Sequence, residues 1–96
     1  MHYKIKSKIW IESNGKILLG EGRVQLLKAI KETGSLSKAS KKLNMSYKKA
    51  WGLIDAVNSI AEKEVVIKNI GGKSGGGTVL TEYGDSLIKT FEKINE

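Results

Sequence analysis

Ninety-six residues leave room for one small domain and exclude a multidomain enzyme, because chains of this size bury only about 60 to 70% of the surface their unfolded state exposes. Lys and Arg number 17 against 10 Asp and Glu, a net charge of +7 in which 16 of the bases are lysine, so a polyanionic partner is the first expectation. The absence of cysteine removes disulfides, thiolate metal sites and thiol nucleophiles, and with no secretory signal and no long apolar run it points to a cytoplasmic chain without a membrane partner.

In chain order, Tyr3 to Glu12 alternates, with Tyr3, Ile5, Ile9 and Ile11 on one side and Lys4, Lys6, Lys8 and Glu12 on the other, the period of a half-buried strand. Trp10 falls on the lysine side, as a packed edge residue or a subunit contact. Asn14-Gly15 is a strong hairpin signal, and Lys16 to Leu19 reads as the return strand. From Arg23 the spacing becomes helical through Val24, Leu27 and Ile30, with Gly34 as a C-terminal cap. Ser35 then caps a second helix of about eight residues, whose apolar positions are Leu36, Ala39 and Leu43.

After a turn at Asn44-Met45, Ser46 caps a longer helix running to about Ala61. Its expected buried face is Ala50, Trp51, Ile54, Val57 and Ile60 or Ala61; Lys48, Lys49, Gly52, Asp55 and Ser59 lie opposite. Glu64 to Ile70 and Thr78 to Leu80 read as two short strands joined by GGKSGGG. Thr81 caps a last helix with the apolar stripe Leu87, Ile88, Phe91 and Ile94. The expected fold is thus α+β and mainly helical. A single domain spans 1–96, with an N-terminal hairpin at 1–20, three helices at 23–62, a wing at 64–80 and a last helix at 81–95.

The charge is uneven along this plan. Residues 1–60 carry 12 bases and 4 acids, whereas residues 61–96 carry 5 and 6. Ser35 to Trp51 holds Lys38, Lys41, Lys42, Lys48 and Lys49 with no acid, although helical sequence gains support from Glu–Lys pairs. A solvated face is the usual explanation of such a run. Here it coincides with a short helix, a tight turn and a longer helix at 35–61, followed by a hairpin: a winged helix-turn-helix.

A helix N-terminus presents free amides and partial positive charge, and here it carries Ser46, Tyr47, Lys48 and Lys49, all able to donate to phosphates or base edges. Ser35, Ser37 and Lys38 are placed to touch the backbone beside the groove. Lys73 and Ser74, between glycines, are suited to a phosphate or a minor groove. Tyr47 is equally well explained as a core ring, and Trp51 reads as core.

The segments GSLSKASKKLNMSYKKAWGLIDAVN and VVIKNIGGKSGGGTVLTEYGDSLI resemble the N-terminal DNA-binding domain of the ModE-type, molybdate-responsive transcription regulators, which is related to the winged domain of LysR-type regulators. The resemblance runs from Gly20 to about Ile94, and MSYKKAW, GGKSGGG and LTEYG are its most specific parts. It implies sequence-specific double-stranded DNA binding, with Ser46 to Lys49 opening the recognition helix, Lys73 in the wing, and a homodimer formed through helices one and four. Family members also carry C-terminal molybdate-binding modules, and this chain ends where those would begin. The resemblance therefore implies DNA binding without molybdate sensing.

Other chemistries find little material. GKS at Gly72 to Ser74 invites a phosphate-loop reading, but that motif needs glycine where Ile67 stands. His2 is the only histidine, and no pair of carboxylates is spaced for acid–base work, so neither a catalytic nor a metal site is expected and no cofactor is implied. Gly84 reads as a close-packing position. The competing functional class is a winged-helix protein–protein module whose basic surface is incidental.

Overall fold

The computed structural model describes residues 8–68 and 77–94. Its order is β1 (Ile11–Ser13), β2 (Lys16–Leu19), α1 (Glu21–Thr33), α2 (Leu36–Lys42), α3 (Tyr47–Ile60), β3 (Val66–Lys68), β4 (Thr78–Leu80) and α4 (Glu82–Ile94). The two sheets are separate antiparallel pairs, β1–β2 and β3–β4. This is the α+β, mainly helical winged helix expected from the sequence.

Each element ends where local chemistry requires it. Asn14 and Gly15 both take positive φ, 53° and 78°, which turns β1 back onto β2 with Ser13 opposite Lys16. α1 begins at Glu21, two residues before the spacing indicates, because Gly20 is extended and its carbonyl accepts from the Val24 amide. Gly34 closes α1 at φ 67°, where L side chains are strained, and its amide donates to the Ile30 carbonyl at 2.7 Å. Ser35 and Ser46 cap α2 and α3 as anticipated, their hydroxyls accepting from the Lys38 and Lys49 amides at 3.1 and 3.0 Å. Between them Asn44 supplies the positive φ of the tight turn, 55°.

One core joins the layers. Leu19 of β2, Leu26, Leu27 and Ile30 of α1, Ile54 and Val57 of α3, and Val65 and Val66 beside the wing are essentially closed to solvent. α4 adds Ile88 and Phe91 to the same cluster.

Several expectations need correction. Among the described residues the first strand is paired over Ile11–Ser13; Lys8 to Trp10 keep the alternation in burial, but β2 is four residues long and the register slips between Ile11 and Glu12, so they do not pair with it, and the part of the expected strand before Lys8 lies outside the described residues. The strand expected over Glu64 to Ile70 is paired over Val66–Lys68 among the described residues, because the Glu64 and Val65 carbonyls are taken by the Thr81 hydroxyl and, for Val65, the Thr81 amide. Trp51 is half-buried rather than core: it lies on the flank of α3 facing the wing, under the Lys68 ammonium and against the Tyr47 ring edge. Ile94 is 62% exposed, one turn beyond Phe91, where α4 makes its last core contact. Trp10 is exposed and its indole N–H donates to Glu12 at 2.7 Å.

Candidate nucleic-acid interface

α3 is laid on the core by Ala50, Ile54 and Val57, which turns the line Lys48, Gly52, Asp55 and Ser59 directly outward. Its first turn presents Ser46, Tyr47, Lys48 and Lys49, all exposed. Tyr47, left open between core and surface by the sequence, is 51% exposed and meets Trp51 edge to face, with ring centroids 6.4 Å apart. The Ser46 hydroxyl oxygen accepts from the Lys49 amide, which leaves its O–H free to donate alongside the lysine ammoniums, the tyrosine hydroxyl and the amides that no cap reaches.

α2 brings a second group beside the first. Ser37 and Lys38 are exposed in its opening turn, whereas Ser35 is half-buried and its hydroxyl oxygen accepts from the Lys38 amide in the cap. The Leu36 amide is tied to the wing, donating to the Thr78 hydroxyl at 3.2 Å, and the Thr78 amide donates to the Gly34 carbonyl at 3.1 Å. The other wing strand is tied to α3 by Asn58, which bonds the main chain of Val65 and Val66 through both ends of its amide. Helix-turn-helix and hairpin are therefore fastened at two points. Lys73 and Ser74 lie outside the described residues.

The sequence did not single out Asn58, Thr78 or Lys68. An asparagine inside a helix, where it is a poor former, was the available signal for Asn58. Nothing local marks Lys68, which reaches across the wing to lie over Trp51 and beside the Asp55 carboxylate at 3.5 Å.

The electrostatics divide the lysines. Lys28 and Lys31 of α1 and Lys89 of α4 are paired with Glu92 and Asp85 of α4. Lys42, counted within the acid-free run, is in fact paired with Glu32 of α1. Lys38, Lys41, Lys48 and Lys49 have no acidic partner among the described residues. The Lys31 and Lys89 ammoniums hold the Asp85 carboxyl below the usual carboxylate range, and the Lys42 ammonium does the same for Glu32. Among the described residues no group of His, Asp and Glu is arranged to hold a metal ion, and no helix is long and apolar enough to cross a membrane.

Short helix, tight turn, longer outward-facing helix and docked hairpin define a winged helix-turn-helix. No protein-family model matches the chain. Among curated proteins, it is 42% identical over 79 residues to the DNA-binding transcriptional dual regulator ModE of Escherichia coli K12, covering 82% of this chain and 30% of that protein. The transcriptional regulator ModE of Haemophilus influenzae is 43% identical over 72 residues, 75% of this chain and 28% of that one. The molybdenum-pterin-binding protein MopB of Rhodobacter capsulatus is 45% identical over 76 residues, 79% and 28%. The chain is thus a homologue of the ModE-type regulators over about four fifths of its length, and it spans less than a third of the length of these relatives.

Proposed function

We propose that this chain is a cytoplasmic transcription regulator that binds double-stranded DNA sequence-specifically, with α3 in the major groove. The observation that carries the reading is the placement of charge: Lys38, Lys48 and Lys49 in the opening turns of α2 and α3 have no carboxylate partner among the described residues, while Lys28, Lys31 and Lys89 on α1 and α4 are engaged by Glu92 and Asp85. In this reading Lys48 and Lys49 meet guanine or phosphate, Tyr47 and Ser46 lie along the backbone, and Ser35, Ser37 and Lys38 touch the strand beside the groove. Lys73 and Ser74 reach the flanking phosphates or minor groove from the wing. The naming of relatives as transcriptional regulators supports regulation rather than catalysis as the role.

A homodimer through α1 and α4 completes the proposal. Its support is the exposed Ile94 on the same side of α4 as the half-buried Leu87, an apolar line left open beside the α1–α4 contact. A two-fold dimer reads an inverted repeat whose half-sites lie about 10 bp apart or a multiple of it.

The test is a gel-shift titration of random duplex DNA at two salt concentrations, comparing the wild type with a Lys48→Ala, Lys49→Ala, Lys73→Ala variant. Binding by the wild type at low salt that the variant lacks is the expected result. Equal binding by the two, or none by the wild type, overturns it and leaves a winged-helix protein–protein module.

A further inference from the structure

Between Glu32 and Glu62 the sequence holds a single acid, Asp55. It stands in the middle of the outward line of α3, and its side chain is 66% exposed. A carboxylate there opposes the field that draws phosphate to this face, so it weakens indiscriminate binding to any duplex. Its cation partner among the described residues is Lys68, which reaches Oδ1 at 3.5 Å from the wing side while its ammonium also covers the Trp51 ring. Oδ2 has no partner among the described residues.

Gly52, one turn earlier on the same line, has nothing within 4 Å of where a Cβ would stand and no positive φ. Neither packing nor backbone geometry calls for glycine, and glycine weakens a helix interior relative to alanine. What its hydrogen supplies is a gap in the side-chain cover next to the carboxylate.

We propose that Asp55 is a specificity-determining residue of the DNA interface: its carboxylate accepts a hydrogen bond from the exocyclic amino group of a cytosine, and Gly52 provides the room for that base edge. In the major groove cytosine offers the N4 amino donor, guanine and thymine offer acceptor oxygens that repel a carboxylate, and adenine sets an N7 acceptor beside its amino group. Lys68 holds the carboxylate without covering it. The inference rests on the DNA-binding reading above.

The experiment is selection of bound duplexes from a random pool by the wild type, Asp55→Asn and Gly52→Ala, followed by affinities for the selected site, for that site with one C·G pair exchanged, and for an unrelated duplex. Asp55→Asn is expected to bind the unrelated duplex more tightly, to lose about 5- to 100-fold discrimination at one C·G position, and to shift its choice there towards adenine, the base an amide pairs with in two bonds. Gly52→Ala is expected to melt at a higher temperature yet bind the selected site more weakly. If Asp55→Asn selects the same site with the same discrimination, the inference alone is overturned and the carboxylate serves only to pair Lys68. If the wild type binds no duplex, the DNA reading falls and the inference with it.

Discussion

Asn58 grips the main chain of Val66 from both sides: its Nδ2 donates to the Val66 carbonyl at 2.9 Å, and its Oδ1 accepts from the Val66 amide at 3.2 Å. The same oxygen accepts from the Val65 amide at 2.9 Å. Both valines are closed to solvent, so no water is at hand to replace the side chain. Asn58→Ala should therefore cost about 1–3 kcal/mol for the polar groups it strands, measured by urea unfolding. Because the bond joins α3 to the wing, DNA affinity should fall further than in a surface variant of equal stability.

Gly84 is fixed by a second contact with the same segment. A Cβ there would stand 2.6 Å from the Val65 carbonyl oxygen and 2.9 Å from Val65 Cγ1. The Thr81 hydroxyl, which accepts from the Gly84 amide at 2.9 Å and donates to the Glu64 carbonyl, holds α4 against that strand and leaves it no room to retreat. Gly84→Ala is expected to destabilise by about 1–3 kcal/mol, the usual cost of overpacking a closed site, despite alanine's better helix propensity. Thermal unfolding followed by circular dichroism measures it; an unchanged midpoint would show that the contact relaxes at no cost.

The legible parts of this molecule are those set by neighbours in sequence. Ser35, Ser46 and Thr81 are caps because their own hydroxyls reach amides three residues on, and Gly34 and Asn14-Gly15 mark turns through their own φ. The packing role of Gly84 was also legible, from its place in LTEYG. What could not be read depends on elements distant in sequence. Trp51 follows the apolar spacing, yet it lies on the flank of α3, half-buried, and what covers it is Lys68 from β3. Lys42 looked free in an acid-free run until α1 placed Glu32 beside it. Ile94 obeys the period of α4 but is largely exposed, one turn beyond Phe91 of the core. The basic face of α3 was visible because its spacing is helical, while the tie of Asn58 to the wing needs the wing's docked position.

Acid should loosen the contacts of α1 with α4 and with α2 first. Hydrogen bonds from Lys31 at 2.6 Å and Lys89 at 3.0 Å hold the Asp85 carboxyl below its ordinary range, and Lys42 does so for Glu32. In the unfolded chain both return to ordinary carboxylate behaviour. Their contribution is thus complete above the usual carboxylate range and is lost as pH falls through that range to the lowered native values. A melting temperature that holds from neutral pH and drops below about pH 4 is the expected profile, since unperturbed carboxylates titrate near there. Asp85→Asn should flatten that acid limb, and high salt should shrink the difference between the two proteins because these groups are exposed.

The proposed dimer predicts a specific weakness at Ile94. Its side chain contributes little to the fold, being largely exposed, so Ile94→Asp should leave the melting profile of the monomer almost unchanged. If α4 joins two copies, the same substitution places a charge in an apolar contact and shifts the sedimentation coefficient from dimer to monomer. A variant that sediments as the wild type does removes α4 from the interface.

The salt dependence of DNA binding separates the two classes of lysine most directly. Each phosphate neutralised by a lysine releases counterions and adds about 0.9 to the slope of log affinity against log salt. Lys48 is exposed, faces directly outward on α3 and has no carboxylate partner among the described residues, so Lys48→Ala should lower the slope by about one contact per bound chain. Lys28 carries the same charge but is paired with Glu92 at 2.7 Å between α1 and α4, and Lys28→Ala should leave the slope where it is. Filter binding of one duplex over a series of salt concentrations measures both. Equal slopes for the two variants would mean that net charge, rather than the placement of Lys48 on the recognition helix, governs the association.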